Sequence, residues 1–253
     1  MEKQGAHFIT ATKIRGRAKP VPSDAGYLPI FPNKWHGHAF GYTQNGGGDF
    51  SALSPMRLGP VPLPSGEGTL ALNIENYYQF AKVFPNELSD EPCDCGSATL
   101  GPHNKPGPAF YKARAAAYAD KTPHRHKQKG VKPAYSCYTI SGADGIREVH
   151  CDYIESRYYY CTQMETLAKR TPAWTRLYDL YWRDNLALEI FGYDAYTPSG
   201  TDADSLYAHY CDPARPFGHE MVLLTMVALG DQADLYPWNR RGGEPRDAKK
   251  QKK

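Results

Sequence analysis

Over residues 73–82 the chain reads Asn-Ile-Glu-Asn-Tyr-Tyr-Gln-Phe-Ala-Lys, and Glu75, Tyr78, Gln79 and Lys82 fall at i, i+3, i+4 and i+7, the spacing of one helical face. A carboxylate, a phenol, an amide and an amine on one side form the inventory of a reaction site. The acid can stabilise developing positive charge or activate water, and a desolvated lysine can attack a carbonyl carbon. Asn73 has the side chain of an N-cap and Pro85 ends the segment, while Ile74, Tyr77, Ala81 and Phe84 are left to pack. The spacing puts Lys82 roughly 10 Å along the axis from Glu75 at 1.5 Å per residue, so the two would reach a substrate from opposite ends. A solvated face of an ordinary helix has the same pattern, and this stretch alone does not separate the two readings.

Other elements must bring partners to that face. Leu186, Leu188 and Ile190 alternate as a strand that ends at Gly192-Tyr193-Asp194, a common place for a functional carboxylate, although Asp194 could equally cap a local turn. Residues 147–169 read as one long helix with the stripe Val149, Tyr153, Arg157, Tyr160, Met164 and Leu167. Arg157 on that apolar stripe needs an anion, either a carboxylate of the protein or a ligand's pyrophosphate. Thr171-Pro172 opens another helix with Trp174, Leu177, Leu180 and Tyr181 inward, and Asn185 closes it. Shorter strands are expected at 38–42, 69–72 and 136–140, helices near 110–120 and over 221–229, and loops at Gly46-Gly47-Gly48 and 197–208. Cys93, Cys95 and His103 invite a zinc reading, but a single C-x-C without a second pair is a weak signal and exposed loop cysteines are expected instead.

Taken in order, Phe50-Ser51, the Glu75 to Lys82 segment, Asp152-Tyr153 with Arg157, Gly192-Tyr193-Asp194 and Phe217-Gly218-His219 resemble the NADAR family. That family pairs a Phe-Ser-Asn-type turn with a Thr-Glu-His-Tyr-x-Gln-x-x-Lys-like helix, an Asp-Trp-x4-Arg helix, an Asp followed by aromatic and glycine residues, and a Gly-led final helix. This chain departs from it at Ala52, Ile74, Asn76 and Tyr153 and lacks Trp-Gly after Asp194. The resemblance spans roughly residues 42–238 and implies an α+β fold, mostly helical, with a small β-sheet. One domain is expected over residues 27–238, with an irregular insertion over about 86–133, between a flexible basic arm (1–26) and a disordered basic tail (239–253).

The resemblance also implies an N-glycosidase that removes ADP-ribose from guanine in DNA or RNA or in nucleosides, using neither a metal nor a cofactor. Cleaving a bond from ribose C1 to nitrogen develops oxocarbenium character, so a carboxylate near C1 and a proton donor for the leaving base are needed. Glu75, Lys82 and Asp194 are the expected catalytic residues, and Lys82 could form a Schiff base with the open-chain ribose. Phe50, Ser51, Tyr78, Gln79, Tyr153, Arg157 and Gly218 are the expected substrate contacts. Alternatives are an N-glycosidase acting on ribosylamino-pyrimidine phosphates of riboflavin metabolism, and a non-catalytic module that binds ADP-ribose or nucleic acid.

Composition bounds these readings. The chain has 253 residues, 41% of them hydrophobic, enough for a substantial core, and no apolar run of membrane-spanning length. Six scattered cysteines are too few for a disulfide framework, and no charged-then-apolar leader stands at the start. A reducing, cytoplasmic or nuclear setting without membrane or obligate protein partner is therefore expected. The net charge of +3 hides an uneven spread: residues 1–20 carry +4 and 239–253 carry +5, so the intervening body carries −6 and is no general DNA-gripping surface. Basic ends and the group His124-Arg125-His126-Lys127-Gln128-Lys129 could attract phosphates or simply be solvated.

Overall fold

A computed structural model of the chain describes residues 8–15, 21–32, 50–64, 70–93, 99–142 and 145–240. The expected strand at 38–42 and the glycine loop at 46–48 lie outside them, as do Thr69, Cys95 and residues 241–253. Helices and small sheets mix as an α+β fold, with six α-helices and three sheets among the described residues. The contacts group the chain into two compact units: Met1–Leu58 with Met164–Arg240, and Gly59–Gln163 with Arg241–Lys253.

The first unit is built on a parallel sheet. β1 (Ile9–Lys13) and β2 (Leu28–Ile30) flank β8 (Leu188–Gly192), which is buried along its whole length. A strand paired on both edges between covered faces takes a continuous apolar run, and the expected alternation is replaced by one. The exception is the fully buried Glu189, whose carboxylate accepts hydrogen bonds from the Thr12 hydroxyl (2.6 Å) and from the backbone N–H (2.6 Å) and hydroxyl (3.0 Å) of Ser23. Three donors satisfy a charge that would otherwise be costly to bury. Residues 9–13 belong to the stretch expected to be a flexible arm. Ile9 and Ala11 are instead buried, and the strand's backbone groups pair with β8.

Helix α4 (Pro172–Trp182) starts as its sequence requires: the Thr171 hydroxyl accepts the Trp174 N–H at 3.1 Å, proline occupies the first turn, and Trp174, Leu177, Leu180 and Tyr181 face inward. Asn185 follows in the left-handed region (φ 52°), which reverses the chain into β8. Residues 203–208, the second half of the stretch expected to be a loop, belong to α5 (Ala203–Cys211). Asp202 caps it by accepting the Ser205 N–H at 2.9 Å, a local signal that outweighs the polar composition. Helix α6 (His219–Leu229) is apolar all round and buried at every residue but Ala228, which makes it a core helix.

The second unit holds two antiparallel sheets. β3 (Lys82–Val83), β6 (Tyr135–Gly142) and β7 (Gly145–Cys151) form one; β4 (Leu88–Cys93) and β5 (His103–Pro106) form the other. Residues 147–151, expected to open a long helix, lie in β7. The β6–β7 hairpin, with Gly145 at φ 105°, pairs Ile140 with Arg147 and Tyr138 with Val149, and helix begins only at α3 (Tyr153–Ala168). Asp152 and Glu155 start that helix with a reciprocal pair of side-chain to backbone bonds at 2.8 and 3.0 Å. The expected strand at 69–72 is reduced to a single bridge between Ala71 and Val61. Within residues 86–133, helix α2 (Pro108–Tyr118) is regular, and Phe110 packs with Val83, Tyr135 and Cys137.

Candidate functional site

In the second unit, helix α1 (Ile74–Gln79) carries the acid face. Its N-cap is Asn73, whose side-chain oxygen accepts the Asn76 N–H at 2.8 Å, and Ile74, Tyr77 and Ala81 are buried as expected. Asn76 locks the helix from beneath. Its amide nitrogen donates to the carbonyls of Ala117 (2.9 Å), Asp120 (3.1 Å) and Thr122 (2.9 Å), and its oxygen accepts from the His124 N–H (2.7 Å).

The helix stops one turn earlier than its spacing predicts. Phe80 and Ala81 form a turn, and Lys82 is the first residue of β3, with Ala81 and Val83 carbonyls accepting from Cys137 (2.7 Å) and Ala134 (2.8 Å). A strand partner for 82–83 and Pro85 beyond them outweigh the helical period. The turn draws the amine back. Lys82 Nζ donates to Gln79 Oε1 at 2.7 Å, and Gln79 Nε2 donates to Glu75 Oε1 at 3.0 Å. Carboxylate, amide and ammonium thus form one chain, where the sequence placed acid and amine at opposite ends. Glu75 is largely buried and sits in the first helical turn, where backbone N–H groups favour a negative charge.

Tyr78 lies under this chain, its ring centroid 4.6 Å from Lys82 Nζ and 4.8 Å from the Tyr160 ring. Burial above all, with Tyr153 next, pushes its phenol well above the ordinary range, against the nearby positive charge of Arg157, so it stays protonated. Arg157 is buried, and its guanidinium carbon lies 4.7 Å from the centre of the exposed Tyr153 ring, so an aromatic face supplies part of what the charge requires.

In the first unit, Phe50 is a core residue, and the Ser51 hydroxyl accepts from Arg57 at 2.7 Å. Asp194, two residues beyond β8, lies against the start of α6: a Cβ on Gly218 would come within 3.1 Å of the Asp194 Cβ and 2.9 Å of Glu220 Oε2. A Cβ on Gly192 would run into the Glu220 side chain itself. Two glycines therefore make room for Glu220, a residue that sequence reading missed. It is 1% exposed, accepts hydrogen bonds from the backbone at Tyr193, Asp194 and Glu220, and has Oε2 3.2 Å from His219 Nδ1. Burial, with the Asp194 charge adding to it, pushes the Glu220 carboxyl up to about 8 despite those bonds. An acid at the start of a helix normally reads as a surface group favoured by the dipole. The signal for burial was the apolar run after it, with glycine at 192 and 218.

No family model, curated protein or solved structure matches the chain. The two groups of side chains stand on their own geometry. The structure joins Glu75, Gln79, Lys82 and Tyr78 in one unit and sets Asp194 beside Gly218 and Glu220 in the other. Part of the basic group at 124–129 is engaged internally: His124 pairs with Asp120 at 2.8 Å, and His126 lies 2.9 Å from Glu87 and stacks on Phe80. Side chains able to hold a metal ion gather elsewhere in the second unit, at Cys93, His103 and His150.

Proposed function

We propose that the chain is a glycohydrolase that cleaves the N-glycosidic bond between ADP-ribose and guanine in nucleic acid or nucleosides. The observation that carries this reading is the Glu75–Gln79–Lys82 chain beside a protonated Tyr78. Loss of the base leaves positive charge on ribose C1, and a largely buried carboxylate such as Glu75 stabilises that charge and orients water toward it. Gln79 fixes one carboxylate oxygen of Glu75. Lys82 supplies a cation at the far end of the chain, suited to an anionic or carbonyl oxygen, and Tyr78 offers a neutral hydroxyl. In the first unit, Asp194 has beside it Glu220, an acid that keeps its proton near neutral pH.

The test incubates wild type and Glu75→Gln with an oligonucleotide carrying ADP-ribose on guanine and weighs both products. Wild type is expected to release free ADP-ribose and restore guanine, with Glu75→Gln slower by about 10²–10⁴-fold. Intact substrate with a folded wild type refutes the proposal. Borohydride added during turnover should attach a ribosyl mass to wild type and not to Lys82→Arg if Lys82 reacts covalently; no adduct removes the Schiff base alone.

A further inference from the structure

Three side chains far apart in sequence meet in the second unit. Cys93 and His103 face each other across β4 and β5, and His150 comes to them from β7, with its Nδ1 2.8 Å from His103 Nε2. One ligand atom from each of the three lies within 4.8 Å of the others. Cys93 and His150 are buried and His103 is half-buried, so the expectation of exposed loop residues does not hold for Cys93. His150, 47 positions beyond His103, is the member that local spacing could not supply.

The hydrogen bonds around the two rings fix which nitrogen of His103 faces His150 with a lone pair. The Gly101 carbonyl oxygen lies 2.9 Å from His103 Nδ1, and a carbonyl only accepts, so Nδ1 carries the hydrogen and the neutral ring turns its lone pair out at Nε2. Beyond His150, Nε2 lies 3.9 Å from the Glu148 carboxylate, too far for a hydrogen bond, so the 2.8 Å contact is a bond from His150 Nδ1–H to the His103 Nε2 lone pair. A metal ion at His103 Nε2 would take the place of that hydrogen, with the His150 ring moving its own hydrogen to Nε2 on the Glu148 side. The buried Cys93 sulfur becomes a third donor once its disulfide is reduced.

Both imidazoles are also held in place. Tyr135 stacks on His150 (4.7 Å, 24°), meets the edge of His103 (4.8 Å) and anchors its hydroxyl on the Asn104 carbonyl (2.7 Å). Glu148 is fixed by Tyr111 (2.7 Å) and Arg114 (3.2 Å), the carboxylate-behind-histidine order that orients metal-bound rings. Cys137, Glu148 and His150 form a second cluster of ligand type, but Arg114 already answers it, 3.2 Å from Glu148 and 3.6 Å from the Cys137 sulfur.

We propose that Cys93 Sγ, His103 Nε2 and His150 Nδ1 bind a divalent cation of zinc's class, tying the β4–β5 hairpin to β7. Mixed sulfur and nitrogen donors suit zinc, whose bonds of about 2.0–2.3 Å set donors roughly 3.3–3.6 Å apart, within reach of small side-chain rotations from the present spacing. Cys93 is disulfide-bonded in the structure, so the binding state is the reduced one. A dithiol reductant gives two electrons and two protons to the disulfide, becoming a disulfide itself and leaving two thiols; the ion then displaces the proton of the Cys93 thiol.

The full chain, reduced with a dithiol, is loaded with Zn²⁺, dialysed and analysed for metal; about one zinc per chain is expected. Co²⁺ in its place should give the visible bands of a tetrahedral site and a thiolate charge-transfer band in the near ultraviolet. Cys93→Ser should abolish that band and His103→Ala should lose the metal on dialysis, with circular dichroism checking each fold; if His103→Ala unfolds, Cys93→Ser decides. Reduced wild type that retains no zinc, or variants that retain it with an unchanged cobalt spectrum, overturn the site and leave a shared proton between the rings.

Discussion

Replacing Glu220 by Gln should remove a loss of stability that the wild-type protein suffers as pH rises. Burial raises the carboxyl from 4.5 to about 8. Below roughly pH 4.5 both native and unfolded chains hold the proton and the group contributes nothing. Between there and pH 8 the unfolded chain has released it and the native chain has not, so the unfolded state binds fewer protons. Stability then falls with rising pH by up to about 1.4 kcal/mol per unit, on the order of 4–5 kcal/mol across the whole window, and is constant above it. The amide of the Glu220→Gln variant has no proton to lose. Urea unfolding of both proteins from about pH 5 to 9 isolates the effect, because other titrating groups cancel in the difference. The advantage of Glu220→Gln over wild type should grow with pH and level off near 8. Asp194→Asn removes the neighbouring negative charge, lowers the Glu220 pKa, and should bring the levelling to a lower pH. A difference between wild type and Glu220→Gln that stays flat across that range refutes the argument.

Asn76→Ala deletes a buried amide with four backbone partners and should cost about 2–4 kcal/mol in denaturant unfolding, whereas Asn76→Asp, which cannot donate to three carbonyls, should be no better. Gln79→Leu breaks the bridge between Glu75 and Lys82 while keeping bulk. If the bridge positions both groups, turnover of ADP-ribosyl guanine should fall by about 10-fold or more with the fold intact, and a rate equal to wild type would show that neither group depends on it.

What was legible in the sequence followed from local rules. The Asn73 and Thr171 caps, the inward faces of α1 and α4, the apolar α6 and the placing of Asp194 just beyond a strand each depend on residues within a few positions of one another. What was missed depended on distant partners. Residues 147–151 have a helix-compatible stripe, but β6 offers them a ladder, and a hairpin closed by Gly145 forms it at little entropic cost. Lys82 fits the helical period, yet β6 claims its neighbours' backbone. His150 carried no local signal, because the rings that hold it come from elsewhere in the chain, and Glu220 carried only part of one, since Gly192 lies far before the Gly218 and apolar run beside it.

The move of Lys82 from helix to strand changes the chemistry more than the fold. On a continuing helix, acid and amine would titrate and move separately, two turns apart. In the turn that forms, the Gln79 amide can face only one way while serving both ends, because its oxygen must accept from Lys82 and its nitrogen must donate to Glu75. That orientation holds only while Glu75 is an acceptor. Protonating Glu75 takes the charge assistance from the Gln79 bond and so loosens the hold on Lys82. In the proposed hydrolysis, water activated by Glu75 would deliver that proton, which would tie the acid's chemistry to the cation through one side chain.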